Sequence, residues 1–224
     1  MKGRIILWVL CLTTLLLAGC GPDYRGQYQD AVEKRYGTVS QGLYQNRWAG
    51  LEMTLPEGWH TQADPIREAL EKASEQVKDS QSLEQSLQDL AAVPVYNLVQ
   101  VFQLPPAESQ VFNPSLVVMV EPVQDKGIAD AAAYLEVSRT VMGQRQMPMG
   151  FTQQLEAPLD TVALGGEAFA HLPVTIGTGL FEIRQDYYAL MLEDGRMLGL
   201  LATWRDETER LEIQEALETL KLSR

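Results

Sequence analysis

Hydrophobic periodicity along the chain predicts several β-strands framed by helices. Alternation of apolar and polar positions, typical of half-buried strands, occurs over residues 51–55 and again over 168–176. Residues 116–120 are apolar throughout, as expected of a strand that is covered on both faces. Asp194-Gly195 separates two further apolar runs and is a strong hairpin signal. The order of these segments predicts an α+β fold, an antiparallel β-sheet flanked by helices in an α/β/α sandwich.

Apolar residues at helical spacing predict helices over 63–92, 128–142 and 206–220. In the first of these the apolar stripe is narrow and is interrupted near Ser80, which leaves open one long helix or a helical hairpin. Because a narrow stripe packs on a single neighbour, this helical insertion either covers the sheet or acts as a lid or as a docking arm for a partner. Asp206 and Glu209 predict a capping pair for the last helix.

The first nineteen residues have the pattern of an export signal. Lys2 and Arg4 precede an uncharged run of 14 residues that ends at Ala18. At about 1.5 Å per residue this run is too short to span a hydrocarbon core of about 30 Å. Leu17-Ala18-Gly19-Cys20 resembles the lipobox of bacterial lipoproteins. The resemblance implies cleavage between Gly19 and Cys20 and attachment of fatty acyl chains, such as palmitate, at Cys20; the alternative is an ordinary signal peptide with a chance cysteine.

The lipobox also sets the expected location and domain organisation. Residues 1–19 form the predicted signal peptide, 20–43 a polar lipidated tether, and 44–224 a single domain. Acyl chains at Cys20 would hold the protein outside the cytoplasm on a membrane. Gly21 instead of Asp favours the outer membrane, facing the periplasm, in a bacterium with two membranes. With one membrane, the protein would lie on the outer face of the cell membrane.

Cysteine content and charge exclude several classes of function. The chain has two cysteines, Cys11 in the predicted signal and Cys20, so the mature body lacks thiol nucleophiles, disulfides and cysteine-based zinc sites. The net charge is −12, and −14 without Lys2 and Arg4. An acidic body argues against nucleic acid as a partner, and leaves the lipid anchor as the expected contact with the membrane.

Candidate chemistry is sparse in this sequence. His60 and His171 have no second histidine at metal-ligand spacing, and no nucleophile elbow, zincin, phosphate-loop or dinucleotide motif occurs. We therefore predict no catalytic residues, no metal site and no cofactor. Aromatic side chains at predicted strand ends are a better lead, and Trp59, His171 and Tyr188 are the residues predicted to line a shallow pocket if the helices leave one sheet face open.

Residues 50–59 resemble a known family. The run GLEMTLPEGW, an apolar alternating strand closed by Pro-x-Gly-Trp early in an exported chain, is similar to the PsbP-like family. That group includes photosystem extrinsic subunits, DcrB-type envelope proteins and a Ran-binding nuclear import factor. The later segments VVMV, Gly165-Gly166, the Asp-Gly hairpin and a closing LETLKL extend the resemblance over residues 44–222. It implies an antiparallel sheet with helices on its faces and a non-enzymatic accessory role.

Three functions remain open from sequence. The first is a non-enzymatic protein-binding or assembly module of the cell envelope, with an unidentified envelope protein as partner. The second is a binder of a small or lipidic ligand in an apolar pocket beneath the 63–92 helices. The third is a hydrolase that uses carboxylates alone, which requires two Asp or Glu about 5–10 Å apart in a cleft.

Overall fold

The protein folds around an eight-stranded sheet in which all strand pairs are antiparallel. The computed structural model describes residues 22–62, 64–106, 112–148, 150–155, 158–177 and 181–223. In this sheet the strand order is β4-β5-β6-β11-β10-β9-β7, and β8 also pairs with β9. Its strands are β4 His60–Gln62, β5 Tyr96–Phe102, β6 Ser115–Pro122, β7 Thr152–Leu155, β8 Asp160–Leu164, β9 Glu167–Gly177, β10 Glu182–Met191 and β11 Arg196–Trp204.

A second, smaller sheet and five helices complete the described fold. The small sheet has the order β1-β2-β3-β12, with β1 Thr38–Ser40, β2 Leu43–Asn46, β3 Leu51–Thr54 and β12 Lys221–Leu222. The helices are α1 Tyr24–Tyr36, α2 Pro65–Ala73, α3 Ser80–Ala91, α4 Ala131–Gln144 and α5 Glu207–Glu218. With helices on both faces of an antiparallel sheet, the predicted α+β class is confirmed.

The longest strand, β9, has two partners along its outer edge. β8 pairs with residues 167–171 and β7 with residues 174–177. Pro173 lies in the gap between these two registers, where no outer partner strand requires an N–H donor. Because of this gap, β9 pairs with β8 along its first half and with β7 along its second half.

Face A of the large sheet carries the main core. Alternate residues of β5, β6 and β11 point to this face and pack with the small sheet, α1 and α5. The fully buried members include Tyr96, Leu116, Val118, Leu198 and Leu200. The predicted capping pair Asp206 and Glu209 forms a reciprocal capping box at the start of α5, which positions the buried side of that helix on the sheet.

The predicted tether is wrong from Tyr24 onward. Residues 24–46 form α1, β1 and β2, and Tyr28, Val32 and Tyr36 of α1 are 1%, 1% and 0% exposed. These three residues are four apart, so they share one side of the helix. The folded body therefore begins about twenty residues before the predicted boundary at 44, because a polar segment with one apolar stripe is anchored by tertiary packing.

The helical insertion consists of two helices rather than one. α2 and α3 are separated by a short 3-10 turn at residues 74–76, and Asp79 caps α3. Both helices contact α1, and Val77 and Leu90 are buried. Their narrow apolar stripes thus pack on α1, which itself covers β5, and the end of α3 also meets the large sheet where the Leu90 carbonyl accepts a hydrogen bond from Tyr96.

Face B, the opposite face of the large sheet, is covered by α4 alone among the described helices. This helix contacts β9 and β10. A helix is about 10 Å wide and strands are about 4.8 Å apart, so one helix covers roughly two strands of the eight. Three face B residues of β6 and β11 are therefore only half-buried: Val117, Met119 and Leu201.

Candidate functional site

His171 and Tyr188 lie side by side on face A, at the end of the sheet next to β8. They are directly paired between β9 and β10, and their rings are stacked with centroids 4.7 Å apart. The imidazole Nδ1 is 2.8 Å from Oδ1 of Asp160, and Nε2 is 2.9 Å from Oδ1 of Asp186. The indole N–H of Trp204 also donates to Asp186, at 2.6 Å. Hydrogen bonds through His171 and Asp186 thus join four neighbouring strands, β8 to β11.

The pKa of His171 is raised by this arrangement. Burial alone lowers the pKa, but hydrogen bonds to and the charges of Asp186 and Asp160 outweigh the burial effect. A neutral imidazole has a single N–H, so hydrogen bonds to two carboxylates require the protonated form. His171 is consequently a cation held between two anions and has no free nitrogen for use as a base.

The positions of Asp160 and Asp186 around His171 test the carboxylate hydrolase hypothesis. Asp160 and Asp186 are the two acids of a potential pair, but the His171 ring lies between them and hydrogen-bonds both. A glycosidase-type pair needs space for a sugar and a water between its carboxyl groups. This pair therefore gives no support to hydrolysis.

A cavity of about 300 Å³ adjoins His171 and Tyr188, under α5. Trp59, which the sequence groups with them, is not one of the residues that line this cavity. Its indole N–H donates to Oε2 of Glu212 at 3.0 Å, on another part of α5. The structure therefore brings two of the three predicted pocket residues together, and Trp59 instead ties the β3–β4 connection to α5.

A larger cavity, the α4 groove, lies on face B beside α4. Its volume is about 840 Å³. Its apolar walls are provided mainly by α4, β6, β9 and β10, through Met119, Ile128, Tyr134, Leu135, Val137, Val141, Met142, Ile176 and Tyr187. Val137 and Val141 of α4 remain 53% and 46% exposed at its edge. Cavities of this size and lining are typical of small-molecule sites.

Gly199 and Met119 lie side by side in the floor of the α4 groove. Ala170, Ala189, Gly199 and Met119 form one row across four strands. A Cβ atom added at Gly199 would meet Cγ of Met119 at 2.9 Å. The glycine therefore lets Met119 lie across β11, and it lowers the floor beside α4. Sequence reasoning missed this site because the row exists only once the strands are in register.

Polar groups stand at both ends of the α4 groove. Near the start of α4, the hydroxyl of Tyr134 donates to Oε2 of Glu121 at 2.7 Å, and Lys126 forms an ion pair with the same carboxylate. Burial, together with Glu121, raises the pKa of Tyr134, so this phenol is a neutral donor. Near the end of α4, Arg145 lines the groove close to Tyr187.

A third cavity, of about 400 Å³, adjoins a cationic cluster around Trp48. The guanidinium carbons of Arg35 and Arg196 lie 4.1 and 4.0 Å from the centroid of its ring. Two such groups do not fit on one face at this distance, so they sandwich the indole. Arg196 also donates to the carbonyl of Trp48 and pairs with Asp194. This cluster joins α1 to the β10–β11 hairpin.

Comparison with known proteins identifies similar structures but no family. No protein-family model matches the chain, and no curated protein matches it. The solution structure of cyanobacterial PsbP (CyanoP) from Synechocystis sp. PCC 6803 is similar at a TM-score of 0.48 and 12% identity, covering 84% of this chain and 96% of that one. LpqN of Mycobacterium tuberculosis, described as involved in cell envelope biogenesis, is similar at a TM-score of 0.42 and 14% identity, covering 78% and 83%.

Neither likeness assigns an activity or a family to this chain, since both identities are low and both TM-scores are below 0.5. The fold class stands on the strand order and helix placement described above.

The predicted lipid-attachment residue Cys20 and the cleavage position after Gly19 lie outside the described residues. Among the helices of the described ranges, none combines the length and the apolar composition that a membrane span requires. In that same part of the chain, His, Cys, Asp and Glu form no group of three suited to a metal ion.

Proposed function

We propose that this protein is a non-enzymatic lipoprotein of the cell envelope whose folded body binds a small apolar or lipidic ligand in the α4 groove. The observation that carries the proposal is the groove itself, a cavity of about 840 Å³ between one helix and a sheet face. The site differs from the predicted one, which was placed beneath the 63–92 helices; those helices pack on α1.

The size of the groove favours a ligand over imperfect packing. Its volume of about 840 Å³ lies within the range of clefts that bind small molecules, and its lining is mainly apolar. Each methylene that a ligand buries here contributes about 0.8 kcal/mol before the costs of association. Met119 and Met142, with flexible and polarisable side chains, suit walls that adapt to an alkyl chain.

The expected lipid anchor supports a lipidic ligand. Acyl chains at Cys20 would keep the body within a short distance of a bilayer, where single-chain amphiphiles are abundant. The engaged nitrogens of His171 and the interrupted carboxylate pair around it support a binding role over catalysis.

Methionine methyl groups provide the test of groove binding. The full chain, labelled with ¹³C-methyl methionine in phosphatidylcholine nanodiscs, is titrated with dodecanol. We expect the methyl resonances of Met119 and Met142, in the groove, to shift, while that of Met53, fully buried in the other core, stays in place. Val141→Trp, which narrows the groove at its edge, should weaken the shifts, and Thr140→Trp, at an exposed position that does not line the groove, should preserve them.

Unshifted Met119 and Met142 resonances with every alkyl probe would refute ligand binding in the groove. Equal loss of the shifts in Val141→Trp and Thr140→Trp would also contradict it, because only the first substitution projects into the groove.

A second candidate function, docking of an envelope protein, is favoured by the exposed apolar residues beside the groove. Val137 and Val141 on α4, and Phe151 before β7, are each at least 40% exposed. Gly143 lies close to Leu155 of β7, which brings α4 alongside that strand. A photo-crosslinking amino acid at Val137 in intact cells should give one discrete adduct, with none from position 140. Absence of an adduct at 137 would remove this candidate.

A further inference from the structure

The charges that line the α4 groove are unequal at its two ends. At the first end the carboxylate of Glu121 faces Lys126, and it also accepts a hydrogen bond from Tyr134. These groups neutralise one another. At the other end stands Arg145, for which the described residues provide no ion pair. A protein with a net charge of −12 thus places, at the mouth of the apolar α4 groove, a cation that has no ion pair among the described residues.

Arg145 lies where the sheet also offers polar groups. The end of α4 is next to Leu155, whose partner across the sheet is Val174, and Val174 pairs with Gln185. Gln185 accepts a hydrogen bond from the hydroxyl of Tyr187 at 3.0 Å and retains its amide N–H groups as donors. Arg145 and Tyr187 both line the groove, and the charge of Arg145 opposes the rise in the pKa of Tyr187 that burial causes.

Together these features distinguish a head-group end from a tail end. We infer that the groove takes a single-chain amphiphile with an anionic head group, a carboxylate or a phosphate monoester, whose head lies at Arg145 and whose tail runs along α4 toward Met119. This inference rests on the proposed function. Arg145 and Tyr134 are eleven residues apart, which corresponds to about 16 Å along a helix and suits an extended dodecyl chain.

The helix dipole of α4 opposes binding of an anionic head group, but its effect is weaker than the attraction of Arg145. The C-terminal end of α4 carries about half a negative charge from the helix dipole, which disfavours an anion. Arg145 contributes a full positive charge, and its planar fork binds carboxylate or phosphate through paired hydrogen bonds. The sum therefore favours an anionic head over a neutral or cationic one.

The test compares head groups on one alkyl chain. The full chain in phosphatidylcholine nanodiscs is titrated with laurate, dodecyl phosphate, dodecanol and dodecyltrimethylammonium, and the methyl resonances of Met119 and Met142 report occupancy. We expect at least one of the two anions to bind about tenfold more tightly than dodecanol, since one charge-assisted hydrogen bond corresponds to roughly that factor. The preference between laurate and dodecyl phosphate distinguishes a fatty acid from a phosphorylated lipid as the source.

Two variants distinguish recognition of the anionic head group from binding of the alkyl chain in the groove. Arg145→Gln should reduce the affinity for the preferred anion to that of dodecanol and leave dodecanol binding unchanged. Arg139→Gln, on the same helix and paired with Glu136, should retain the preference. Equal affinity for anions and dodecanol, or an unchanged preference in Arg145→Gln, would overturn the inference while leaving the groove as a ligand site. Loss of binding by every probe would instead refute the proposed function.

Discussion

The imidazole of His171 lies nearly parallel to the ring of Tyr188, with 12° between the planes and 4.7 Å between the centroids. Both nitrogens of the same imidazole face carboxylate oxygens, from Asp160 and Asp186. The ring of Tyr188 shields the ion pairs from water on one side. Because both ion pairs involve the same imidazolium, their strength depends on the protonation of His171.

The stability of the protein should therefore depend on pH through His171. Its folded pKa is raised above the unfolded value of about 6.5, so its stabilisation is fully present below that pH and is lost as the pH rises through the folded pKa. Urea unfolding should show that His171→Gln costs about 1–2 kcal/mol below about pH 6, with a smaller cost above about pH 8.

His60→Gln is the control, since His60 is exposed on β4. His60→Gln should not change how the free energy of unfolding depends on pH. A cost of His171→Gln that is constant across this range would show that the histidine is not protonated in the fold.

Burial of α1 predicts that its tyrosines stabilise the whole domain. Tyr28→Ala should lower the free energy of unfolding by about 3–5 kcal/mol, as for other large-to-small substitutions of buried aromatic residues. Glu33→Ala, at an exposed position on the same helix, should change it by less than about 0.5 kcal/mol. Equal, small effects in urea unfolding would restore the tether interpretation of residues 24–43.

The sandwich around Trp48 predicts a specific role for Arg196. Arg196 is 9% exposed. Its guanidinium lies over the Trp48 ring, forms an ion pair with Asp194 and donates a hydrogen bond to the Trp48 carbonyl. Arg196→Met should reduce the free energy of unfolding by about 1–3 kcal/mol. Arg139→Met, which removes a more exposed ion pair with Glu136, should cost at most about 1 kcal/mol. A reversed order in thermal or urea unfolding would contradict this assignment.

Two adjacent glycines provide a matched pair for the turn between β8 and β9. Gly165 and Gly166 both have positive φ, of 56° and 88°. A Cβ atom at Gly165 would collide with the carbonyl oxygen of Leu220, whereas at Gly166 it would meet open space. Gly166→Ala should cost about 1 kcal/mol from backbone strain alone. Gly165→Ala should cost clearly more in the same unfolding measurement, and equal costs would show that the two segments are not in contact.

The expected anchor is tested at Cys20. Cys20→Ala should abolish acylation and move the protein from the membrane fraction to the soluble fraction, and mass spectrometry of the wild-type protein should find an acylated N-terminal cysteine. An unacylated mature protein, or unchanged fractionation of the variant, would remove the lipoprotein proposal and would leave the α4 groove unaffected.

The sequence by itself determined the local features of this protein. Alternating residues predicted the strands at 51–55 and 168–176, Asp194-Gly195 predicted the hairpin, and Asp206 with Glu209 predicted the start of the last helix. These signals are local, because strand pleating, turn geometry and capping depend on residues a few positions apart. The acidic charge and the cysteine content are also direct readings of the sequence.

Tertiary structure alone decided which of these segments are neighbours. The spacing of Tyr28, Val32 and Tyr36 was visible in the sequence, but only the surface beneath α1 shows that this side is buried. His171 meets Asp160 and Asp186 through strand pairing, and the α4 groove exists because one helix covers two strands of a wide sheet. Periodicity specifies which side of a segment is apolar; the contacts between distant segments specify what covers that side, and where it stays open.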